Sequence, residues 1–443
     1  MRKKTSVDDF LKGPLSEQAG GNESHRKTAK LLEEHPNSDE EEFELKKRKS
    51  KLDFFLKKKE LLFSYQNEIV LKLFKWMDRA PAQSELRAAM VSLPTGGGKT
   101  RVGVCFLLEL LKKEKIKGVV WVAPSIELVE QAIQTLENLW VYFNDIPDLH
   151  VYVNQFPRNM INGEFFCIFI TAQFAALHLN DLFKTKAGLL IFDEAHQAAA
   201  KTFESVVNTQ KTFGNVIGLS ATPGRSSEKE IDTLSDVFGG NLITSSELGE
   251  KPVLSLQKRG VLAKLEFMTI PMTDTSSYWR VSGLKSKVIP NEELALNKDR
   301  FWATVETINK LGANSKTLVF AESISHCNAI SAALDLKKIK SSVLSHLTSF
   351  KKRKQILSCF EDGEINVVLN KSLLATGYDC PGITDVILAT PIRSPILWEQ
   401  ILGRVSRGPL VGGNSCGKVW ELDDHRKMHG EVMSYYRFSG LWS

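Results

Sequence analysis

The run Met90-Val91-Ser92-Leu93-Pro94-Thr95-Gly96-Gly97-Gly98-Lys99-Thr100 passes from a short apolar strand pattern, Met90–Leu93, straight into three glycines, a lysine and a threonine. A helical pattern follows over Val102–Leu111. Three glycines let a backbone wrap closely around a phosphate, and a helix starting near Arg101 turns its free N–H groups toward that anion. Lys99 is placed to reach the β- and γ-phosphates of a nucleoside triphosphate, and the Thr100 hydroxyl to take a position on Mg2+. The general phosphate-loop pattern asks for glycine five residues before Gly98, where this chain has Leu93. The strand before and the helix after still favour a phosphate loop over a glycine-rich turn that happens to end in Lys-Thr.

Outward from this loop the chain alternates. Apolar runs of strand character lie at Val119–Ala123, Phe166–Thr171, Leu189–Phe192 and Val216–Leu219, with helical patterns between most of them, such as Leu128–Leu139. A second alternation starts near Thr317, with runs at Leu318–Phe320, Val343–Ser345, Val367–Leu369, Val386–Ala389 and Val419–Leu422. Strand and helix in turn predict parallel sheets covered by helices, hence two α/β domains joined within 245–300. Upstream, Leu61, Leu62, Ile69, Val70, Leu71, Leu73 and Phe74 recur at helical spacing and predict the first helix of the folded part.

About 90 residues after the glycine loop, Gly188–Phe192 reads as a buried strand that ends in Asp193-Glu194-Ala195-His196. Acidic residues at the carboxyl end of a parallel strand sit where such sheets bind ligands. Asp193 is placed to hold Mg2+ through water, and Glu194 to polarise the water that attacks the γ-phosphate. A plain helix-capping role for Asp-Glu competes when the pair is taken alone; the glycine loop tips the balance.

The 443 residues are 42% apolar and 25% charged, ordinary for a globular chain of several domains. No stretch approaches the roughly 18 uninterrupted apolar residues of a spanning helix, and no secretory signal opens the chain. Six scattered cysteines without a CxxC pair argue against a disulfide framework or a zinc site. A cytoplasmic location is expected, or a nuclear one in a eukaryote, neither secreted nor membrane-bound. The net charge of +6 is compatible with a polyanionic partner without establishing one. The first 60 residues carry 15 Lys/Arg and 13 Asp/Glu, so residues 1–55 are read as a charged tail, mostly disordered over 1–50. Lys46–Lys49 there is a solvated charge run before it is a nuclear address or a phosphate-binding patch. Lys51-Leu52-Asp53-Phe54-Phe55 resembles a sliding-clamp-binding peptide, but the start of the first helix accounts for it better. A protein partner reached through the tail is a minor expectation.

Together, Pro94–Thr100 and Asp193–His196 resemble motifs I and II of the superfamily 2 helicases and translocases, in the DEAH-box spelling, a family that tolerates a residue other than glycine at the position of Leu93. Further resemblances follow in that family's order: Tyr65-Gln66 to the glutamine motif, Val122–Ser125 with Leu128–Gln131 to motif Ia, Ser220-Ala221-Thr222-Pro223 to motif III, Leu318–Ala321 to motif IV, Ala375-Thr376-Gly377-Tyr378-Asp379 to motif V, and Gln400–Gly408 to the QxxGRxxR of motif VI. The resemblance covers roughly 61–425. It implies two tandem RecA-like domains, an ATP-binding one at 56–245 and a linker with the helicase C-terminal one at 246–443, with ATP and Mg2+ in the cleft between them. It implies adenine contact for Gln66, triphosphate and metal contact for Pro94, Thr95, Gly96, Gly97, Gly98, Lys99 and Thr100, metal and water for Asp193 and Glu194, and ribose contact for Asp379. It further implies that Gln400, Arg404 and Arg407 reach the phosphates from the second domain, and that His196, Ser220, Thr222 and Gly377 couple hydrolysis to domain movement. Gln400, Arg404 and Arg407 are expected to share one helix face made for phosphate.

The segment Lys251–Ile270, with Leu254, Leu256 and Arg259-Gly260-Val261-Leu262, is similar to the opening of the second domain in repair translocases and restriction-enzyme motor subunits, which act on duplex DNA. The expected activity is therefore an ATP-dependent DNA helicase or duplex-DNA translocase, with DNA favoured over RNA. An RNA helicase is the alternative. A nucleotide-gated clamp without turnover ranks below both, because Lys99, Glu194, Arg404 and Arg407 are all intact.

Overall fold

The structure is a computed structural model that describes residues 41–45, 61–79, 87–143, 146, 148–157, 164–197, 214–221, 234–271, 295–312, 314–375, 378, 380–390, 392 and 394–422. Two sheets organise these residues. The first domain runs β1 (Glu41–Leu45), α1 (Ser64–Asp78), β2 (Ala88–Ser92), α2 (Lys99–Lys112), β3 (Gly118–Ala123), α3 (Ile126–Trp140), β4 (Leu149–Val153), β5 (Phe165–Thr171), α4 (Ala172–Leu177), α5 (Leu179–Lys184), β6 (Leu189–Phe192), β7 (Asn215–Ser220) and β8 (Leu242–Ile243). Its strands lie in the order β1-β4-β5-β3-β6-β7-β2-β8, parallel except for β1.

The central strands are apolar at nearly every position because both faces are covered. Successive side chains point to opposite faces. Val91, Trp121 and Ile191 accordingly join one apolar layer with α1, α2 and α3, while Met90, Val120, Val122 and Phe192 join the other with Leu182 of α5 and Phe238. The amphipathic α1 buries Tyr65, Ile69, Val70, Leu73, Phe74 and Met77, one stripe at helical spacing.

The second domain contains α6 (Pro252–Lys258), β9 (Lys264–Ile270), α7 (Lys298–Leu311), β10 (Thr317–Phe320), α8 (Ile324–Leu336), β11 (Ser341–Leu344), α9 (Phe350–Glu361), β12 (Val367–Asn370), β13 (Asp385–Leu388), α10 (Pro395–Val405) and β14 (Cys416–Leu422). Its sheet is parallel throughout, in the order β11-β12-β10-β13-β14-β9. Leu318 and Phe320 face one apolar layer, Val319 and Ala321 the other. Side-chain caps open several helices: Asn297 accepts from Arg300 N at α7, Ser323 from His326 N at α8, and Ser394 from Leu397 N at α10.

Differences from the expected organisation have physical causes. Glu41–Leu45, inside the segment read as disordered, forms β1 and pairs antiparallel with β4 from Glu41↔Val153 to Leu45↔Leu149. An added edge strand is held by backbone bonds, so its three glutamates do not forbid it. Lys46–Lys49 and Lys51–Phe55 lie outside the described residues. The connection between the sheets is not neutral either: Leu256 of α6, Val261 and Leu262 are buried in the first domain's apolar layer before β9 joins the second sheet. Among the described residues every cysteine is free, and no helix is long and apolar enough to cross a membrane.

Candidate ATP-binding cleft

Strand order places the chemistry. Within the sheet β7 separates β2 from β6, so the loop after β2 and the carboxylates after β6 open at one sheet edge with Ser220 at the end of β7 between them. Pro94–Gly98 forms a tight loop closed by Gly97 N donating to Pro94 O at 2.8 Å, and α2 begins at Lys99. Gly96 (φ +83°) and Gly98 (φ +85°) both adopt the left-handed region, which accounts for glycine at each. A Cβ on Gly98 would collide with the Gln66 amide.

Gln66 is buried behind this loop. Its Nε2 donates to Gly97 O at 2.9 Å, its Oε1 accepts from Phe63 N at 3.0 Å, and the neighbouring Tyr65 hydroxyl donates to the same Gly97 carbonyl at 3.0 Å. Both ends of the amide thus brace the loop against the start of α1. Arg259, paired with Glu247 at 3.2 Å, lies over the Tyr65 ring at 5.9 Å, a contact that no local sequence pattern announces.

Asp193 and Glu194 occupy the adjacent corner. Asp193 is 1% exposed; its Oδ1 accepts from Glu194 N at 3.0 Å, while Oδ2 is buried with no hydrogen-bond partner. Burial, joined by the neighbouring Glu194 charge, raises the Asp193 carboxyl above the usual carboxylate range. Glu194 goes the other way. Burial opposes its ionisation, but Lys99, His196 and Arg404 together hold its carboxyl below the usual range. The contacts are close: Glu194 Oε1 stands 3.9 Å from Lys99 Nζ, and Oε2 stands 3.3 Å from His196 Nδ1. His196 Nδ1 is also 3.3 Å from Ser220 Oγ, so buried Lys99, His196 and Ser220 and the partly buried Glu194 form one polar chain from the phosphate loop to β7. Glu194 holds φ +47°, unusual for a residue with a side chain and typical of functional sites.

The second domain supplies α10. Gln400 and Arg404 lie one turn apart on it, both buried, and Arg404 Nε donates to Gln400 O at 3.2 Å while Nη1 donates to Tyr378 O. Gly403 faces the phosphate loop so closely that a Cβ there would meet Thr95 Cγ2. The expectation of one shared helix face needs correction. α10 ends at Val405, and Arg407 lies beyond it in an isolated antiparallel bridge with Leu262. Arg407 still arrives at the cleft, because a Cβ on Gly96 would collide with its Nη1. Thr222, Gly377 and Asp379 lie outside the described residues.

A second bridge between the domains was not read from the sequence. Arg353 of α9 pairs with Glu127 of α3, and Lys354 with Glu130 one turn on, at 3.3 Å. The separations of 226 and 224 residues explain the omission, since no periodicity encodes a contact that distant.

The donor set suits the expected ligands. The loop glycines and Lys99 fit a triphosphate. Asp193, with its unpartnered buried oxygen, and the Thr100 hydroxyl are the hard oxygen donors Mg2+ takes, and that ion needs no all-protein cage. No group of three or more His, Cys, Asp or Glu that could hold a metal occurs among the described residues.

Comparison with known proteins bears on the whole arrangement. A family model described as type III restriction enzyme, res subunit, matches residues 59–225, and one described as helicase conserved C-terminal domain matches residues 300–408. The chain is 24% identical over 325 residues to the putative ATP-dependent helicase IRC3 of Saccharomyces cerevisiae, covering 71% of this chain and 45% of that protein. It thus spans under half of that relative's length. Among solved structures, the fragment of a putative HsdR subunit of a type I restriction enzyme from Vibrio vulnificus YJ016 is similar with a TM-score of 0.57 at 17% identity, covering 84% of this chain and 66% of that one. S. cerevisiae Dbp5 bound to RNA and ADP BeF3 is similar with a TM-score of 0.55 at 14% identity, covering 85% and 93%. Both likenesses are of fold.

Proposed function

Because the chain belongs to the superfamily 2 helicases and translocases, we propose that it couples Mg-ATP hydrolysis to movement on DNA, as a helicase or duplex-DNA translocase. The observation that carries this reading is the convergence of Lys99, Glu194 and Arg404 at one cleft, two from the first domain and one from the second.

In this reading the phosphate-loop amides and Lys99 hold the triphosphate, and Gln66 braces the loop through Gly97 O while its second N–H and second lone pair take the adenine contact its motif position implies. Asp193 and Thr100 would hold Mg2+, which supplies charge neutralisation on the transferring phosphoryl group. Glu194 is kept ionised by Lys99, His196 and Arg404, so it can accept a proton from the attacking water. Arg404 and Arg407 bring positive charge from the second domain to the phosphates as charge develops there. His196 and Ser220 pass the state of Glu194 to β7, the strand next to the phosphate loop. Thr222, Gly377 and Asp379 take the coupling and ribose roles their motif positions imply. The linker that begins at 246 joins the two units that must close, its Leu256, Val261 and Leu262 packing on the first.

DNA is favoured over RNA because the model matching the first domain is a restriction-enzyme subunit and Lys251–Ile270 has the matching spelling. The test is ATPase stimulation by duplex DNA, single-stranded DNA and single-stranded RNA of equal length at one fixed salt, since phosphate-backbone binding falls steeply with ionic strength. Stimulation by duplex DNA well above that by RNA is expected. Stimulation by RNA alone would make the chain an RNA helicase, and binding without turnover on every polymer would make it a clamp.

A further inference from the structure

Arg407, past the end of α10, is supported by a neighbouring segment of chain. Val261–Ala263 runs antiparallel to Ser406–Gly408, with Ala263 N donating to Ser406 O at 2.8 Å and Gly408 N to Val261 O at 2.9 Å. These bonds flank Leu262 and Arg407, which face each other as the bridge pair between them. In such a pair the two side chains stand close together on one face. They converge on one point of the phosphate loop: a Cβ on Gly96 would lie 2.7 Å from Leu262 Cδ2 and would also collide with Arg407 Nη1. Leu262 itself is rooted elsewhere. It is 4% exposed and belongs to the first domain's apolar cluster with Leu93, Leu256 and Val261. One leucine therefore touches the first domain's core, the phosphate loop and the strand partner of an arginine from the second domain.

We propose that Leu262 is a positioning residue for hydrolysis: anchored in the first domain and paired with Arg407, it holds the guanidinium over Gly96 of the phosphate loop. Arg407 sits past the end of α10, so the helix does not aim it. A long arginine side chain has many rotamers, and a neighbour packed along one side removes those that swing away from the phosphates. Alanine at 262 opens that space while leaving the backbone bridge able to form. Methionine restores the bulk. The inference rests on the phosphate-loop and Arg407 roles given above.

The test uses the full chain with saturating polymer and compares Leu262→Ala, Leu262→Met and Leu136→Ala, the last a core truncation in the same apolar cluster from α3. Stimulated kcat, KM for ATP, affinity for ADP–aluminium fluoride relative to ADP, and thermal stability are measured. Leu262→Ala is expected to lose about ten- to a hundredfold in kcat, with KM within about twofold and the preference for ADP–aluminium fluoride falling in parallel. Leu262→Met should recover to within about threefold, and Leu136→Ala should lose stability with kcat within about twofold. Wild-type kcat in Leu262→Ala, or an equal kcat loss in Leu136→Ala, overturns the positioning role alone. A wild-type chain that hydrolyses no ATP on any polymer overturns the reading of the cleft, and this inference with it.

Discussion

Adjacent carboxylates at the end of one strand, Asp193 and Glu194, meet different surroundings, and the proposed reading divides the work between them accordingly. Lys99 and His196 stand close to Glu194, whereas Asp193 keeps one buried oxygen unpartnered. Glu194→Gln keeps the shape and removes the proposed base, so ATP binding is expected to survive while hydrolysis falls by roughly 10²–10⁴-fold. Lys99→Ala is expected instead to lose nucleotide affinity, because in the proposed role Lys99 meets the bound triphosphate as well as the reacting one. Equilibrium nucleotide binding and single-turnover hydrolysis, measured side by side, separate the two; wild-type hydrolysis in Glu194→Gln would exclude it as the base. Most of this corner was legible in sequence, because phosphate loops and strand-end carboxylates are local patterns. The double engagement of Gln66 was not, since a motif names a residue but not which end of its amide is occupied. A residue away from the cleft, His326, adds its own pH dependence to stability. Burial, with Arg300 beside it, lowers the His326 imidazole from its ordinary 6.5 to about 4, Glu322 opposing weakly. The folded state thus binds fewer protons than the unfolded chain between those values, and stability is lost as pH falls through that window. The loss from near pH 7.5 to near pH 5 is expected to be about 2 kcal/mol from this group. Urea unfolding of wild type and His326→Gln at both pH values checks it: the variant should lose correspondingly less.

At the scale of elements, sequence patterns located ten strands and the helices flanking the phosphate loop, because strands buried on both faces are continuously apolar. The strands that escaped lie toward sheet edges. β9 buries little of itself beyond Ile270 and pairs only with β14, and β1 pairs only with β4, so neither needs the apolar run that marks a central strand. Removing residues 1–40 is expected to leave the protein monodisperse. Removing 1–50 also removes β1, uncovers the edge of β4 and should promote self-association, with basal ATPase per folded molecule unchanged in both. Light scattering beside ATPase distinguishes them; identical behaviour would mean that β1 does not protect the edge. The contact between α10 and the phosphate loop makes a sharper demand. Gly403 faces Thr95, so Gly403→Ala drives a methyl group into Thr95 Cγ2 and should lower stimulated turnover about tenfold or more, with the fold retained. Thr95→Ser deletes that same methyl, so the double variant Gly403→Ala/Thr95→Ser should regain much of the loss. A strictly additive double variant would show that the two do not meet during turnover.

For the whole molecule, the order of motifs implied two domains facing one nucleotide, but not what holds them together away from it. That work falls to α9 and α3, through Arg353 with Glu127 and Lys354 with Glu130. The Arg353 side chain is only 12% exposed, so its pair is better shielded from salt than a surface bridge. These pairs form only when the domains are together and therefore favour the closed state in which, on the proposed reading, Arg404 and Arg407 meet the phosphates. A ligand shifts closure only by its differential affinity for the two states, and the coupling between two such ligands is reciprocal. If nucleotide and DNA both select the closed state, a non-hydrolysable ATP analogue must tighten DNA binding by the same factor by which DNA tightens the analogue. Couplings of this kind are on the order of 1–3 kcal/mol. Arg353→Glu places like charges opposite each other at Glu127 and should shift the apparent affinities for both ligands in the same direction, to weaker binding, and lower stimulated ATPase. The exchanged pair Glu127→Arg/Arg353→Glu restores the attraction in reverse and should recover most of both. The measurement is DNA affinity with and without the analogue, and analogue affinity with and without DNA, at one salt concentration. A factor of one in wild type, nucleotide and DNA leaving each other's affinity untouched, would exclude a shared closure equilibrium. No rescue by the exchanged pair would assign Arg353 to direct contact with the polymer instead of to holding the domains closed.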